Sequence, residues 1–290
     1  MFTALFAWSW TGHGQLTAMG VTFAVAQFLI LASKAVLKRF LEIDAIMVAK
    51  NSGEGDLSPL RKERREESET VRGLRDKPEQ TIPAAVAGRV VARMLSDLPS
   101  RVQHEDIHAG NIPSLGEFFE RDSQVRHFMR SREDVTSKVA FEASTKYIRD
   151  NCLASWRAFR RAVRPEKSWT DFFSDPTVGH FDEGKEMLAK ALHAIEDSYA
   201  PGHVKRREGT GIIEKVNIWD DPNKKASGDW PGHEALDNPQ HAQSMPFFEM
   251  ARRTTGDFIL VVLANLDGEE AGFLKALDNL MANRFTFAEP

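Results

Sequence analysis

The 290-residue chain contains one cysteine, two tyrosines and no marked excess of either charge. Cys152 alone can build neither a disulfide framework nor a thiolate-type structural zinc site, so any metal must be held by His, Asp, Glu or water. A net charge of -4 and a pI near 6.2 provide no basic footprint for a phosphate backbone. There is no nucleophile-elbow pattern and no Ser-His-Asp or Cys-His arrangement. The most apolar stretch, Leu16 to Leu37, is interrupted by Thr17, Thr22, Gln27, Ser33 and Lys34, and reads as a buried core helix with a membrane-contacting segment as the second reading. No Lys or Arg precedes it and no clean cleavage site follows, so it does not read as a signal peptide. The chain is expected to be made in the cytoplasm. One hypothesis is export by a dedicated secretion machine, with a partner protein that delivers or neutralises it.

Apolar residues recur at three and four positions in AAVAGRVVARMLSDL, VTSKVAFEASTKYIRDNCLASWRAFRRAV, GKEMLAKALHAIEDSYA and FFEMARRTTGDFILVVLANL, while strand-like alternation is scarce. The expected fold is all-α, one multi-helix domain over residues 1-290, with long loops at Gln103–Gly116, Pro165–Gly179 and Gly202–Pro239. Residues 51-80 are dense in both charges and read as a flexible excursion.

The nine histidines are unevenly placed. In LHAIEDSYAPGH, His193 and Asp197 are four apart, so a helix puts both on one face, able to share one cation. Pro201-Gly202 ends that helix and leaves His203 free to aim at a second cation. DWPGHEALDNP repeats the pair as His233 and Asp237. HEDIHAGNIPSLGEFFERDSQVRHFMR adds Glu105-Asp106 and His127, and WSWTGHGQ places His13 at the mouth of the apolar helix. His180 and His241 read as structural, His104 and His108 as ordinary loop residues, and Asp182, Glu183 and Glu196 as solvated helix charges.

His193, Asp197 and His203 match at every spacing the H-x-x-x-D-x-x-x-x-x-H motif of the zinc-dependent phospholipases C and single-strand-specific zinc nucleases, which the chain resembles. That resemblance implies an all-α fold with a trinuclear zinc cleft, two or three Zn2+ ions in all. One ion would take His193, Asp197, His127 and Asp106. A second would take His203, His233 and Asp237. A third would take His13, the bridging Asp197 and an N-terminal tryptophan. That tryptophan corresponds to Trp8, which lies behind MFTALFA and would reach a metal only after removal of those seven residues. The last position, Asp237, is as in the nuclease branch; the phospholipase branch commonly has Glu.

The resemblance further implies phosphodiester hydrolysis by attack of a metal-bound hydroxide, with Asp106 as ligand and general base. Phe128, directly after a ligand, is expected to wall the site, and Lys205 and Arg206 to grip a phosphate. The acidic balance and the apolar helix after His13 favour phospholipid at a membrane surface over single-stranded nucleic acid. A non-catalytic, metal-stabilised effector module is the third reading, disfavoured because closed structural zinc sites usually employ thiolates.

Overall fold

The computed structural model describes residues 9–51, 81–105, 121–131, 133–163, 177–218 and 245–288, together with 66, 67, 69, 70, 73, 74, 77 and 80. Helices α1 (Ser9–Leu31), α2 (Lys34–Asn51), α3 (Ala84–Met94), α4 (Leu98–His104), α5 (Arg121–Arg126), α6 (Ser137–Val163) and α7 (Thr177–Asp197) are followed by strands β1 (Val204–Arg206) and β2 (Ile213–Val216). Helices α8 (Met245–Ala264) and α9 (Glu270–Arg284) complete the order. The described chain is mostly helical, as its 3.6-residue periodicity requires.

Local chemistry sets several of these boundaries. Ser33 stands at the break between α1 and α2, where its Oγ accepts the Val36 N–H at 3.2 Å. Thr136 does the same for α6 by accepting from Val139 N–H. Each hydroxyl satisfies an orphan donor of the first turn. The core is aromatic where four helices meet: Phe28 of α1, Phe40 of α2, Phe181 of α7 and Phe159 of α6 contact one another in sequence through tilted and edge-to-face pairs, with centroids 4.9 to 5.6 Å apart. Trp156 stacks on Phe273 and ties α6 to α9.

Glycines let α1 approach α8. A Cβ on Gly20 would lie 2.7 Å from the Thr255 side chain, and one on Gly256 would lie 2.7 Å from the Phe23 ring. Only hydrogen at both positions permits this crossing. It brings the His13 end of α1 beside Thr255.

Two expectations need correction. The stretch Gly202–Pro239 is not all loop, because β1 and β2 form an antiparallel hairpin, Val204 opposite Val216, with an irregularity between Lys205 and Arg206. The charged stretch 51-80 is not wholly solvated: Glu67, Thr70 and Leu74 are buried. Arg93 of α3 forks onto both Asp44 of α2 and Glu67, so these charges form a packed network that a composition reading takes for a solvated face.

Candidate metal centre

The last turns of α7 enter the core completely, and every residue from Ala191 to Ala200 is buried. Asp197 ends the helix there with four imidazoles around its carboxylate. His193, one turn earlier, places Nε2 3.1 Å from Asp197 Oδ2. His127 Nδ1 is also 3.1 Å from Oδ2, and 3.0 Å from His193 Nε2. His13 of α1 sets Nε2 3.2 Å from the other oxygen, Oδ1. His203 lies 3.8 Å away through Nδ1. Among the described residues, no Lys or Arg pairs with Asp197.

His127 reaches this point because α5 ends in a tight reversal. Met129 N–H bonds back to Gln124 O and Phe128 N–H to Val125 O, the paired pattern that closes a helix through a left-handed residue. That residue is Phe128, with φ 49°. A left-handed phenylalanine costs on the order of 1 kcal/mol. Its ring offsets the strain by packing against Phe285 and Phe141 in the core. Phe128 is therefore buried in the core, where it fixes the turn, and does not wall the site as the sequence suggested.

His203 is held from two directions. Its Nδ1 donates to His127 O at 2.5 Å, and Asn217 clasps its neighbours: Asn217 Nδ2 donates to Gly202 O and Asn217 N–H to His203 O. Arg130 N–H donates to Asn217 O, so β2's end ties the His127 and His203 segments together. With Nδ1 protonated toward a carbonyl, Nε2 of His203 keeps its lone pair. His13 Nδ1 likewise donates to a fixed acceptor, Glu196 Oε2 at 2.7 Å.

Glu196 is the residue that sequence reasoning misplaced. It is fully buried, and its Oε1 accepts from Thr17 Oγ1 at 2.8 Å and Thr255 Oγ1 at 3.2 Å. Asp182 and Glu183 lie at the helix surface, as expected for solvated charges.

The two expected phosphate-binding cations part company. Lys205 points to solvent beside Glu214. Arg206 is buried instead: its guanidinium donates to Ser198 O, Ser198 Oγ and Gly211 O and stacks over Tyr199, 3.9 Å from the ring centroid. It braces the end of α7 and cannot grip a substrate from there. Asp106, His233, Asp237 and Trp8 lie outside the described residues.

Electrostatics follow from burial and neighbours. Burial would raise the Asp197 carboxyl, but the charges of His193 and His203 and hydrogen bonds from His127 and His13 hold it well below the usual carboxylate range. Burial raises Glu196, partly offset by His13 and Thr17. Burial lowers His203 to about 4, against 6.5 for an unperturbed imidazole, despite the upward pull of Asp197. Because the unfolded chain then binds the proton more readily, stability is present in full above about pH 6.5 and falls as pH drops toward about 4. The expected loss from this histidine is on the order of 3 kcal/mol. Thermal melts of the chelator-treated protein across that range check it; a flat melting temperature would contradict a neutral, buried His203.

The donor set fits a metal ion. Two imidazole nitrogens and one carboxylate oxygen, mutually 3.0 to 3.1 Å apart, come near the edge of about 3.3 Å expected for ligands around tetrahedral zinc. His13, His193 and Asp197 also offer ligand atoms all within 4.8 Å of one another. Without an ion the same contacts act as hydrogen bonds around the carboxylate. Comparison with family models, with curated proteins and with solved structures returned no match.

Proposed function

We propose that the chain is a zinc-dependent phosphodiester hydrolase of the phospholipase C type, acting on phospholipid to release diacylglycerol and a phosphorylated head group. The observation that carries this reading is the convergence of His13, His127, His193 and His203 on the single buried carboxylate of Asp197. His127, His193 and Asp197 would hold one ion, and His13 with Asp197 would help to hold another. His203 would serve a further ion through Nε2. Dications bound there supply Lewis-acid charge and lower the pKa of a water brought to them.

The chain's own residues contribute orientation and charge. The His127 carbonyl orients His203 and Glu196 orients His13, so that the opposite ring nitrogens would face a cation brought to the centre. Burial of the cluster lowers the local dielectric and strengthens every interaction with a phosphoryl oxygen brought to it.

A surface feature favours lipid over nucleic acid. Helix α1 carries no charged residue, and its outward side exposes Met19 (44%), Phe23 (38%), Ile30 (76%) and Leu31 (58%). Lys34 follows directly, exposed at the start of α2. An apolar tip beside a cation suits a bilayer interface. Ile30→Glu is therefore expected to slow hydrolysis of anionic phospholipid vesicles at least about tenfold, the order of burying one aliphatic side chain, while leaving a soluble short-chain substrate unaffected. Equal rates on both would remove the interfacial part of the reading.

The function itself is tested by mass spectrometry of products after incubating the zinc-loaded protein with mixed phospholipids and, separately, single-stranded DNA, each with a chelator control. Chelator-sensitive diacylglycerol is expected. Nucleotides instead would assign a nuclease, and silence on both would leave a metal-stabilised module.

A further inference from the structure

We propose that Glu196 is a positioning residue for His13, fixing the Nδ1 proton and ring orientation with which Nε2 meets the Asp197 side of the centre. The proposal rests on the metal-centre reading above and extends it to a residue that lies beside the ligand motif in sequence but faces a different way.

Consecutive helix residues point about 100° apart, so Glu196 and Asp197 leave the helix in different directions and meet His13 at its two different ring nitrogens. Asp197 turns toward His127 and His193. Glu196 turns toward α1 and α8, where three donors meet it. Thr17 and His13 stand one turn apart on the same face of α1, which lets both reach one carboxylate. Thr17 Oγ1 donates to Oε1 at 2.8 Å, Thr255 Oγ1 of α8 to the same oxygen at 3.2 Å, and His13 Nδ1 to Oε2 at 2.7 Å.

All four side chains are inaccessible to solvent, so these bonds are not diluted by water. The two hydroxyls hold Oε1 and thereby aim Oε2 at the imidazole. With Nδ1 held on Glu196, His13 turns Nε2 toward Asp197, 3.2 Å from Oδ1, as a donor to that carboxylate in the metal-free chain and as the atom that would meet a cation. A carboxylate behind a histidine also raises the basicity of the opposite nitrogen, which strengthens its hold on a cation. The close α1–α8 crossing at Gly20 and Gly256 is what brings Thr255 within reach.

Two readouts test this, only one of which needs metal. In the metal-free protein with nitrogen-15 histidine, the His13 ring, assigned by its loss in His13→Gln, is expected to carry a proton on Nδ1. In Glu196→Ala that Nδ1 proton is expected to be lost, leaving the ring protonated on Nε2 alone. Glu196→Gln, whose amide oxygen can still accept from Nδ1–H while its amide nitrogen serves the threonine hydroxyls, is expected to restore it. In zinc titrations followed by native mass spectrometry, Glu196→Ala is expected to bind one ion fewer than the parent. Glu196→Gln is expected to keep that ion with affinity reduced about tenfold. Unchanged stoichiometry and affinity in both variants, or a parent His13 protonated on Nε2 alone, would overturn the proposal. A parent that binds no zinc would instead overturn the metal reading and leave the Nδ1 proton to decide the role of Glu196. Should Glu196→Ala not fold by circular dichroism, the parent's Nδ1 proton and the near-isosteric Gln variant decide.

Discussion

Asp197→Asn is expected to reduce phosphodiester hydrolysis at least about 100-fold, exceeding the loss typical of an outer-shell change, and to lower bound zinc by one ion or more. The substitution keeps shape and volume, so its effect isolates charge. One oxygen becomes an NH2 group, a donor where the surrounding imidazoles require an acceptor. Whichever way the amide turns, one side loses its partner: His127 and His193 at Oδ2, or His13 at Oδ1. The depressed pKa of Asp197 shows that its neighbours favour the charged form, so a neutral amide also forgoes that stabilisation in the metal-free protein. Asp182→Asn, on the same helix but partly exposed beside Arg101 and Lys185, supplies the control and is expected to leave rate and zinc content near normal. Near-normal turnover in Asp197→Asn would contradict the assignment.

Arg206→Ala is expected to destabilise the fold by about 3 kcal/mol or more, combining lost packing with acceptors left unpaired. The guanidinium serves Ser198 O, Ser198 Oγ and Gly211 O, and it does so directly after the end of α7, where a cation also complements the helix dipole. Its removal empties the space over the Tyr199 ring and frees the segment between Asp197 and His203. For a chain of this size, such a loss lowers the melting temperature by roughly 5 °C or more. A substrate-gripping arginine would behave oppositely, weakening activity with little change in melting. Lys205→Ala, in which an exposed side chain is truncated, is expected to leave the melting temperature within about 1 °C.

The contrast between these neighbouring cations shows where sequence was readable. His193 and Asp197 announce themselves through a four-residue spacing that a helix turns into proximity, and Pro201 marks where that helix stops. His13 and His127 carry no spacing relative to them. In the structure both meet Asp197. Arg206 escapes a sequence reading because Val204, Lys205 and Arg206 lie in a stretch that reads as loop. Once they form a strand, alternation sends Val204 and Arg206 inward and Lys205 outward. A three-residue strand is too short to show that period against a helical background.

Glu196 was opaque for a different reason. Adjacent to a ligand and amid charged helix positions, it matches the pattern of a solvated side chain. Its burial depends on Thr17 and Thr255, two hydroxyls distant in sequence that no pattern singles out, and on the Gly20–Gly256 crossing that brings their helices together. Asn217 is equally silent, since its function is to bond the backbones of two segments that become neighbours only on folding. The helical class and the His193–Asp197 pairing were thus legible from periodicity and spacing, whereas the residues that brace the cluster around Asp197 arise from tertiary packing.

Metal analysis of the purified, zinc-equilibrated chain addresses the centre most directly. Inductively coupled plasma mass spectrometry after exhaustive dialysis is expected to find at least two zinc ions per chain in the parent protein and at least one fewer in Asp197→Asn. A folded parent retaining no stoichiometric zinc would show that the four histidines around Asp197 form a hydrogen-bonded core and not a metal centre.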